Sequence, residues 1–182
     1  MGSGDTIRLM EAARFAAERH SRQRRKDAET TPYINHLIDV SAMIARYVGD
    51  SDPNLVIAGL LHDSIEDVGV TREEIAALFG EDVAELVWLV TDDKSLEKAE
   101  RKRLQVANAP KKPPRVQMLK LADKISNLRA IRDSPPGEWT VERRREYVRW
   151  ARAVIGGFTS PDPGMLAEFE AIAAELETLN GV

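Results

Sequence analysis

The sequence predicts an all-α protein, organised as a single-domain helical bundle. Apolar residues recur at helical spacing, no strand-like alternation persists, and proline and glycine clusters fall between the periodic segments. A chain of 182 residues can bury a substantial core in one domain, and no internal repeat or long linker divides it. We therefore predict one domain over residues 5–180, with residues 1–4 interpreted as a cloning remnant.

Local signals justify the predicted helices of the first half of the chain. The apolar run VIAGLL at residues 56–61 is typical of a buried helix, and it leads directly into the acidic segment HDSIEDV. Thr71 and Glu74 have the spacing of a capping box, so we expect a helix to begin there. Gly80 is expected to end that helix, and a second apolar stripe continues over residues 83–90.

Prolines mark the boundaries in the second half. Pro110, Pro113 and Pro114 predict a loop, and the helical segment LKLADKISNL follows it. Another turn is expected at PPG, before the last two predicted helices at residues 139–158 and 165–179.

Composition limits the classes of function. The net charge is -4, which does not favour binding to a nucleic-acid polymer through overall charge. The chain has no cysteine, which excludes disulfides and thiolate metal sites. No apolar run approaches the length of a membrane span, and the first residues lack a signal-peptide pattern. We therefore expect a cytoplasmic protein without a membrane partner, while the oligomeric state stays open.

Basic residues fall in three clusters despite the negative net charge, at residues 22–26, 101–103 and 143–145. A protein of this charge that binds a polyphosphate needs such local positive spots. For residues 101–103, a phosphate contact and a solvated helix face both remain open interpretations. We interpret residues 143–145 as solvated surface.

The most informative segment is LLHDSIEDVGV, which contains His62, Asp63, Glu66 and Asp67. In a continuous helix, His62 would lie over Glu66 and Asp63 over Asp67, because each pair is four residues apart. Clustered carboxylates repel one another and are costly to bury, and a divalent cation is the simplest compensation. The segment therefore predicts half of a metal site.

Two further positions are candidates for the remaining ligands. His36 in PYINHLIDV and Asp123 in LKLADKISNL both follow apolar residues in helical patterns, and helical bundles build metal sites from such side chains. Two imidazoles and two carboxylates favour Mn, Fe or Zn over Ca or Mg, and the share of oxygen ligands favours Mn²⁺. No partner is suggested by the sequence for His20, the third histidine, and we assign it no role.

The order His, His-Asp, Asp resembles the pattern of the HD-domain metal-dependent phosphohydrolases. The chain most resembles the small alarmone hydrolases of the metazoan SpoT-homologue type, which are related to the hydrolase half of the Rel/SpoT enzymes. The stretches that carry this resemblance are, in order, RQRRKD, TPYINH, LLHDSIED, VTDDK, ERKRLQV, KLADKISNLR and EYVRWA. The resemblance implies an all-α HD-domain bundle that removes the 3′-pyrophosphate from guanosine tetra- and pentaphosphate, with Mn²⁺ as the usual metal.

The resemblance also implies roles for individual residues. Those that match the metal ligands of the family are His36, His62, Asp63 and Asp123. Those that match the acidic pair, which orients and activates the attacking water, are Glu66 and Asp67. Those that match nucleotide-binding positions are Arg25, Lys26, Asn127 and Tyr147. The chain departs from the family pattern at Leu37, where proline often follows the histidine, and at Val68, where many relatives carry threonine, but neither change removes a ligand or an acid.

Two other functions stay open at this stage. The same metal site could act on another ribose-phosphorylated nucleotide, such as NADPH losing its 2′-phosphate, because metal-assisted attack does not itself specify a base. The chain could also be a non-catalytic sensor that binds an alarmone without cleaving it. The presence of all four predicted ligands and of both acids argues against the sensor.

Overall fold

The computed structural model describes residues 2–179 as α-helices joined by short loops, without a β-strand in this range, which confirms the all-α prediction. The helices are α1 Ser3–Arg19, α2 Ile34–Val48, α3 Pro53–Leu61, α4 Ser64–Val68, α5 Arg72–Phe79, α6 Glu81–Val90, α7 Lys98–Asn108, α8 Pro114–Asp133, α9 Val141–Ile155 and α10 Pro163–Leu179. No helix in the described range is both long and apolar enough to cross a membrane.

The predicted domain limits, residues 5 and 180, stay predictions. Helix α1 already begins at Ser3, so it includes Ser3 and Gly4, which are interpreted as part of a cloning remnant. Residue 180 lies outside the described residues, as does Met1.

The described helices separate into two compact units. The first unit comprises residues 2–23 and 32–95 and contains α1 to α6. The second comprises residues 24–31 and 96–179 and contains α7 to α10. Residues 24–31 therefore belong to the second unit although both flanking segments belong to the first.

Helix α3 is the centre of the first unit. It is buried from Leu55 to Leu61 and packs against α1, α2 and α6. Asp52 caps it by accepting a hydrogen bond from the backbone N–H of Leu55 at 3.0 Å. Gly59 allows α2 to approach closely, because a Cβ there would lie 2.9 Å from the Cα of Ser41. This close packing fixes the relative placement of the chain segments that carry His36 and His62.

The predicted boundaries of α5 are confirmed. The Thr71 hydroxyl oxygen accepts a hydrogen bond from the backbone N–H of Glu74 at 3.1 Å, and α5 begins at the next residue. Gly80 follows the last residue of α5 with a φ of 97°, a conformation that side chains other than glycine rarely adopt. It separates α5 from α6, as predicted.

The prediction that one continuous helix carries HDSIED is wrong. Helix α3 ends at Leu61 and α4 begins at Ser64, so His62 and Asp63 lie in the junction between them. Asp63 has φ -99° and ψ 2°, in the bridge region that regular helices avoid. The His62 ring donates from Nδ1 to the Gly59 carbonyl at 2.9 Å, so a side chain competes for a carbonyl of the last turn of α3.

Helix α8 is the longest helix of the second unit and packs against α9 and α10, while α7 packs against α9. Its start at Pro114, after a short 3-10 turn at Ala109–Lys111, confirms the predicted break. Helices α9 and α10 confirm the last two predicted helices, although α9 is shorter at both ends than the predicted 139–158.

Candidate active site

Two buried imidazoles meet in the first unit. His36 is 4% exposed on α2, and His62 is 5% exposed just after α3. Their ring centroids are 5.2 Å apart with the planes at 72°, and a nitrogen of each ring lies within 4.8 Å of a nitrogen of the other. The packing of α2 on α3 therefore brings together two predicted metal ligands that are 26 residues apart in sequence.

The tautomer of His62 follows from its hydrogen bond. The Gly59 carbonyl only accepts, so Nδ1 of the ring must carry the proton. In the neutral imidazole, Nε2 then presents a lone pair, and it lies 3.1 Å from Oδ2 of Asp63. A histidine that donates its other ring N–H to a backbone carbonyl is the usual arrangement of a metal-ligating histidine.

This donor set fits a divalent cation. A lone pair and a carboxylate oxygen at 3.1 Å repel each other unless a proton or a metal ion lies with them. Nε2 of His36 is 3.8 Å from the same oxygen of Asp63, and two neighbouring imidazolium rings would repel each other, so one metal ion satisfies the group better than two protons. Imidazole nitrogen with carboxylate oxygen is a ligand set that first-row divalent metals accept. His36, His62 and Asp63 therefore fit as metal ligands supplied by the first unit.

The acidic pair lies beside these residues in sequence and is held by donors within the first unit. Oε2 of Glu66 accepts a hydrogen bond from the backbone N–H of Asp92 at 3.1 Å. Oδ2 of Asp67 accepts one from the amide Nε2 of Gln23 at 2.7 Å, and Oδ1 of Asp67 is ion-paired with Lys94. These partners orient both carboxylates of α4 through charge-assisted hydrogen bonds.

Asp123 is the centre of a hydrogen-bonded chain in the second unit. Its Oδ1 accepts from the amide of Asn127 at 2.6 Å, so these two residues of α8 face the same way. Its Oδ2 accepts from the buried ammonium of Lys124 at 2.9 Å. Arg25 donates to Oδ1 of Asn127 at 3.1 Å. The structure thus brings together three of the predicted residues, Arg25, Asp123 and Asn127.

The other two predicted binding residues lie in different surroundings in the second unit. Lys26 lines a cleft of about 540 Å³ formed by residues 26–28 and 136–139. The ring of Tyr147 contacts two tryptophan rings, with centroid distances of 5.8 Å to Trp139 and 5.3 Å to Trp150. Tyr147 is therefore part of an aromatic cluster.

Cations surround this aromatic cluster. The guanidinium of Arg143 lies 5.3 Å from the centroid of the Trp139 ring. The ammonium groups of Lys102 and Lys124 lie 4.6 Å and 4.7 Å from the centroid of the Trp150 ring. Attraction between a cation and a ring face stabilises such groups where burial has removed part of their hydration.

The pKa values of two lysines on α7 are lowered by burial and by nearby positive charge. Burial, followed by the charge of Arg143 and that of Lys98, holds the pKa of Lys102 below its ordinary value. Burial, followed by the charges of Arg143 and Lys26, does the same to the pKa of Lys98. Cations that raise one another's energy in this way favour the binding of a polyanion.

Several of these residues were missed or interpreted differently in the sequence. Lys98 and Lys102 are four residues apart on α7, and this helical spacing is the signal that could have paired them. Arg143, interpreted as solvated surface, instead lies against Trp139 and near both lysines. Lys124 had no signal, because adjacent residues on a helix do not normally face each other.

Comparison with known proteins agrees with this geometry. A family model described as the HD domain matches residues 12–150 of the chain. The chain belongs to the HD-domain family. The match spans residues of both units, and it confirms the predicted single-domain HD-domain fold.

Within the HD-domain family, the chain is similar to proteins named guanosine-3′,5′-bis(diphosphate) 3′-pyrophosphohydrolase MESH1. It is 46% identical to that of Drosophila melanogaster over 155 residues, which cover 85% of this chain and 87% of the relative. It is 48% identical to that of Homo sapiens over 157 residues, which cover 86% and 87%. A solved structure described as a metazoan orthologue of SpoT that hydrolyses ppGpp matches with a TM-score of 0.83 and 44% identity over 96% of both chains. These matches confirm the resemblance to the metazoan SpoT-homologue type.

Proposed function

We propose that this protein is a guanosine 3′,5′-bis(diphosphate) 3′-diphosphatase, which hydrolyses guanosine tetra- or pentaphosphate to GDP or GTP and pyrophosphate. The observation that carries the proposal is the buried cluster of His36, His62 and Asp63, found in a chain 46% and 48% identical to two proteins named for this reaction. Such a cluster supplies the nitrogen and oxygen donors that metal-assisted hydrolysis requires.

The proposed metal ligands are His36, His62, Asp63 and Asp123. The geometry within the first unit supports the first three, and the family resemblance supports the fourth. We propose Mn²⁺ as the ion, and another divalent transition metal would fit the same donors. When bound, the ion supplies positive charge that lowers the pKa of water and offsets the charge that builds up on the phosphate.

Glu66 and Asp67 would position the attacking water and accept its proton. The water attacks the phosphorus attached to the ribose 3′ oxygen, and the bond between that phosphorus and O3′ breaks. The 3′ oxygen takes up a proton as GDP or GTP leaves, and pyrophosphate is the second product. The hydrogen bonds from Asp92 and Gln23 support this role, because they hold both carboxylates in fixed orientations.

Substrate binding would fall to Arg25, Lys26, Asn127 and Tyr147. Arg25 can stack on a base or fork onto a phosphate, and its bond to Asn127 supports a fixed guanidinium. Lys98, Lys102 and Arg143 add positive charge for the remaining phosphates. We also propose a cytoplasmic location, since the substrate is an intracellular nucleotide.

Product analysis tests this function. Metal-stripped protein is resupplied with Mn²⁺ and mixed with guanosine tetraphosphate and, separately, with NADPH. We expect GDP and intact pyrophosphate from the first substrate. Orthophosphate and NADH from the second substrate alone would contradict the proposal and identify a 2′-phosphatase. Tight binding without turnover of either nucleotide would contradict it in favour of a sensor.

A further inference from the structure

His20 is a buried histidine that the proposed mechanism does not use. It directly follows the last residue of α1 in the first unit, and it is 2% exposed. Its Nδ1 lies 2.5 Å from Oε1 of Gln23, and its Nε2 lies 3.5 Å from the hydroxyl of Ser64. Ser64 is the first residue of α4, the helix that carries Glu66 and Asp67. The His20 ring therefore contacts the start of the acidic helix.

The partners of His20 fix the direction of its hydrogen bonds. The carboxylate of Asp67 only accepts, so the NH₂ group of the Gln23 amide must face it, with Nε2 at 2.7 Å from Oδ2. The Oε1 of Gln23 then faces His20, and Nδ1 of the ring must carry the proton in order to donate. If the amide turned over, its carbonyl oxygen would face the carboxylate and be repelled. One tautomer of His20 thus holds Gln23 as a donor to Asp67.

A second route leads from His20 to Asp63. The His20 and Tyr33 rings stack with centroids 5.5 Å apart and planes at 16°. The Tyr33 hydroxyl donates to Oδ2 of Asp63 at 2.6 Å, and the Tyr33 backbone N–H donates to the Gln23 carbonyl at 3.2 Å. Because the two rings pack flat on each other, the position of the tyrosine hydroxyl depends on His20. A single imidazole therefore contacts a hydrogen-bond donor to each of the two aspartates.

We propose that His20 is a positioning residue for hydrolysis: its ring, with a proton on Nδ1, orients Asp67 through Gln23 and Asp63 through Tyr33. It acts only through these neighbours and is not itself a catalytic residue. The kinetic consequence rests on the proposed function. Partners of this kind typically contribute about 10-fold to 100-fold to activity or metal affinity.

Three substitutions separate the two routes. His20→Phe keeps a flat ring against Tyr33 but removes the donor to Gln23. His20→Asn keeps an N–H near the position of Nδ1 but removes the ring. Gln23→Met removes the amide that bridges to Asp67. Thr71→Ala is the control, because it removes the cap of α5 and lowers stability without touching this network.

We expect His20→Phe and Gln23→Met each to lower kcat for guanosine tetraphosphate by about 10-fold to 100-fold, with KM unchanged. The double variant should be no slower than the slower single variant, because both break the same connection. His20→Asn should lower kcat through the loss of the ring against Tyr33, and adding Gln23→Met to it should lower kcat further, because the two changes break different connections. Thr71→Ala should keep the wild-type kcat. A wild-type kcat in His20→Phe or in His20→Asn, or losses that multiply when His20→Phe is combined with Gln23→Met, would overturn the proposal.

A second readout does not depend on turnover. The chain has three histidines, so long-range ¹H–¹⁵N correlation spectra of the metal-free protein can resolve each imidazole, and the signals lost in His20→Phe identify His20. We expect Nδ1 of His20 to be protonated. A ring without a proton on Nδ1 would overturn the proposal. If the wild-type protein leaves guanosine tetraphosphate intact, the proposed function fails. The measured protonation of Nδ1 then still tests whether His20 donates to Gln23.

Discussion

The two units differ in the chemistry of their candidate residues. The candidates of the first unit are imidazoles and carboxylates, namely His36, His62, Asp63, Glu66 and Asp67. Those of the second unit, apart from Asp123 and Asn127, are cations and aromatic rings, namely Arg25, Lys26, Lys98, Lys102, Arg143 and Tyr147. Imidazoles and carboxylates suit a metal ion and proton transfer, whereas cations beside rings suit a nucleotide polyphosphate. On the proposed function, the first unit supplies most of the residues that perform the chemistry, and the second supplies Asp123 and the residues that bind the substrate.

The difference between the two units predicts different kinetic effects of substitutions in each. Substitutions in the first unit should lower kcat, because they remove interactions that matter in the transition state. Substitutions among the cations of the second unit should raise KM with a smaller effect on kcat, because they remove binding that the substrate and the transition state share.

The largest effect is expected for Asp63→Ala. Removing this carboxylate takes away the oxygen donor beside both imidazoles, so metal binding and activity should fall by more than the roughly 100-fold that outer partners contribute. Metal content by mass spectrometry and kcat would be measured together. Glu73→Ala, which removes an exposed carboxylate of α5, is the matched control and should change neither. A metal-loaded, active Asp63→Ala protein would remove Asp63 from the site.

Glu66→Gln combined with Asp67→Asn should come next. Both changes keep the side-chain volume and remove the proton acceptors, so kcat should fall by about 10²-fold to 10⁴-fold. The metal content should stay at the wild-type level, which distinguishes this variant from Asp63→Ala. Unchanged turnover would exclude the pair from proton transfer.

Arg143→Met tests the second unit. The loss of one charge-assisted contact to a phosphate, worth about 1.5–3 kcal/mol, should raise KM for guanosine tetraphosphate by about 10-fold to 100-fold. Arg145→Met is the matched control on the same helix. Both arginines are ion-paired, Arg143 with Glu146 and Arg145 with Glu142, but Arg143 is the one that lies against Trp139 and lowers the pKa values of Lys98 and Lys102. Equal values of KM in the two variants, or a loss confined to kcat, would contradict the assignment of substrate binding to the second unit.

The smallest effect is a pH dependence of KM. Lys98 and Lys102 have pKa values held below the ordinary value of 10.5, so they lose their charge at lower pH than free lysines do. Because the charged forms bind phosphate, KM should rise as the pH rises through these lowered pKa values. In a variant with Lys98→Arg and Lys102→Arg, KM should stay flat over the same range, since arginine remains charged. Identical pH profiles for the two proteins would contradict this assignment.

The fold could be predicted largely because its signals are local. The cap at Thr71, the glycine at position 80 and the proline before α8 act within a few residues of the helix ends that they mark. The break between α3 and α4 could not be predicted, because it accompanies a contact of the His62 side chain with a carbonyl and a bridge conformation at Asp63. Neither the side-chain contact nor the bridge conformation changes the helical spacing of apolar residues, which is what the prediction used.

The candidate site divides in the same way. His36 and His62 could be selected because histidines are few in this chain and both lie in segments with helical apolar patterns. The residues that orient the acids could not be selected in this way. Gln23 is 44 residues from Asp67, and Lys94 is 27 residues from it, so tertiary packing alone brings these ordinary polar side chains together. The role now proposed for His20 depends on the same packing.

The most direct test of the central claim is hydrolysis of guanosine tetraphosphate in ¹⁸O-labelled water, with mass analysis of both products. Attack on the phosphorus attached to O3′ predicts one labelled oxygen in pyrophosphate and none in GDP. Label in GDP, or labelled orthophosphate in place of pyrophosphate, would show that a different bond is cut and would contradict the account.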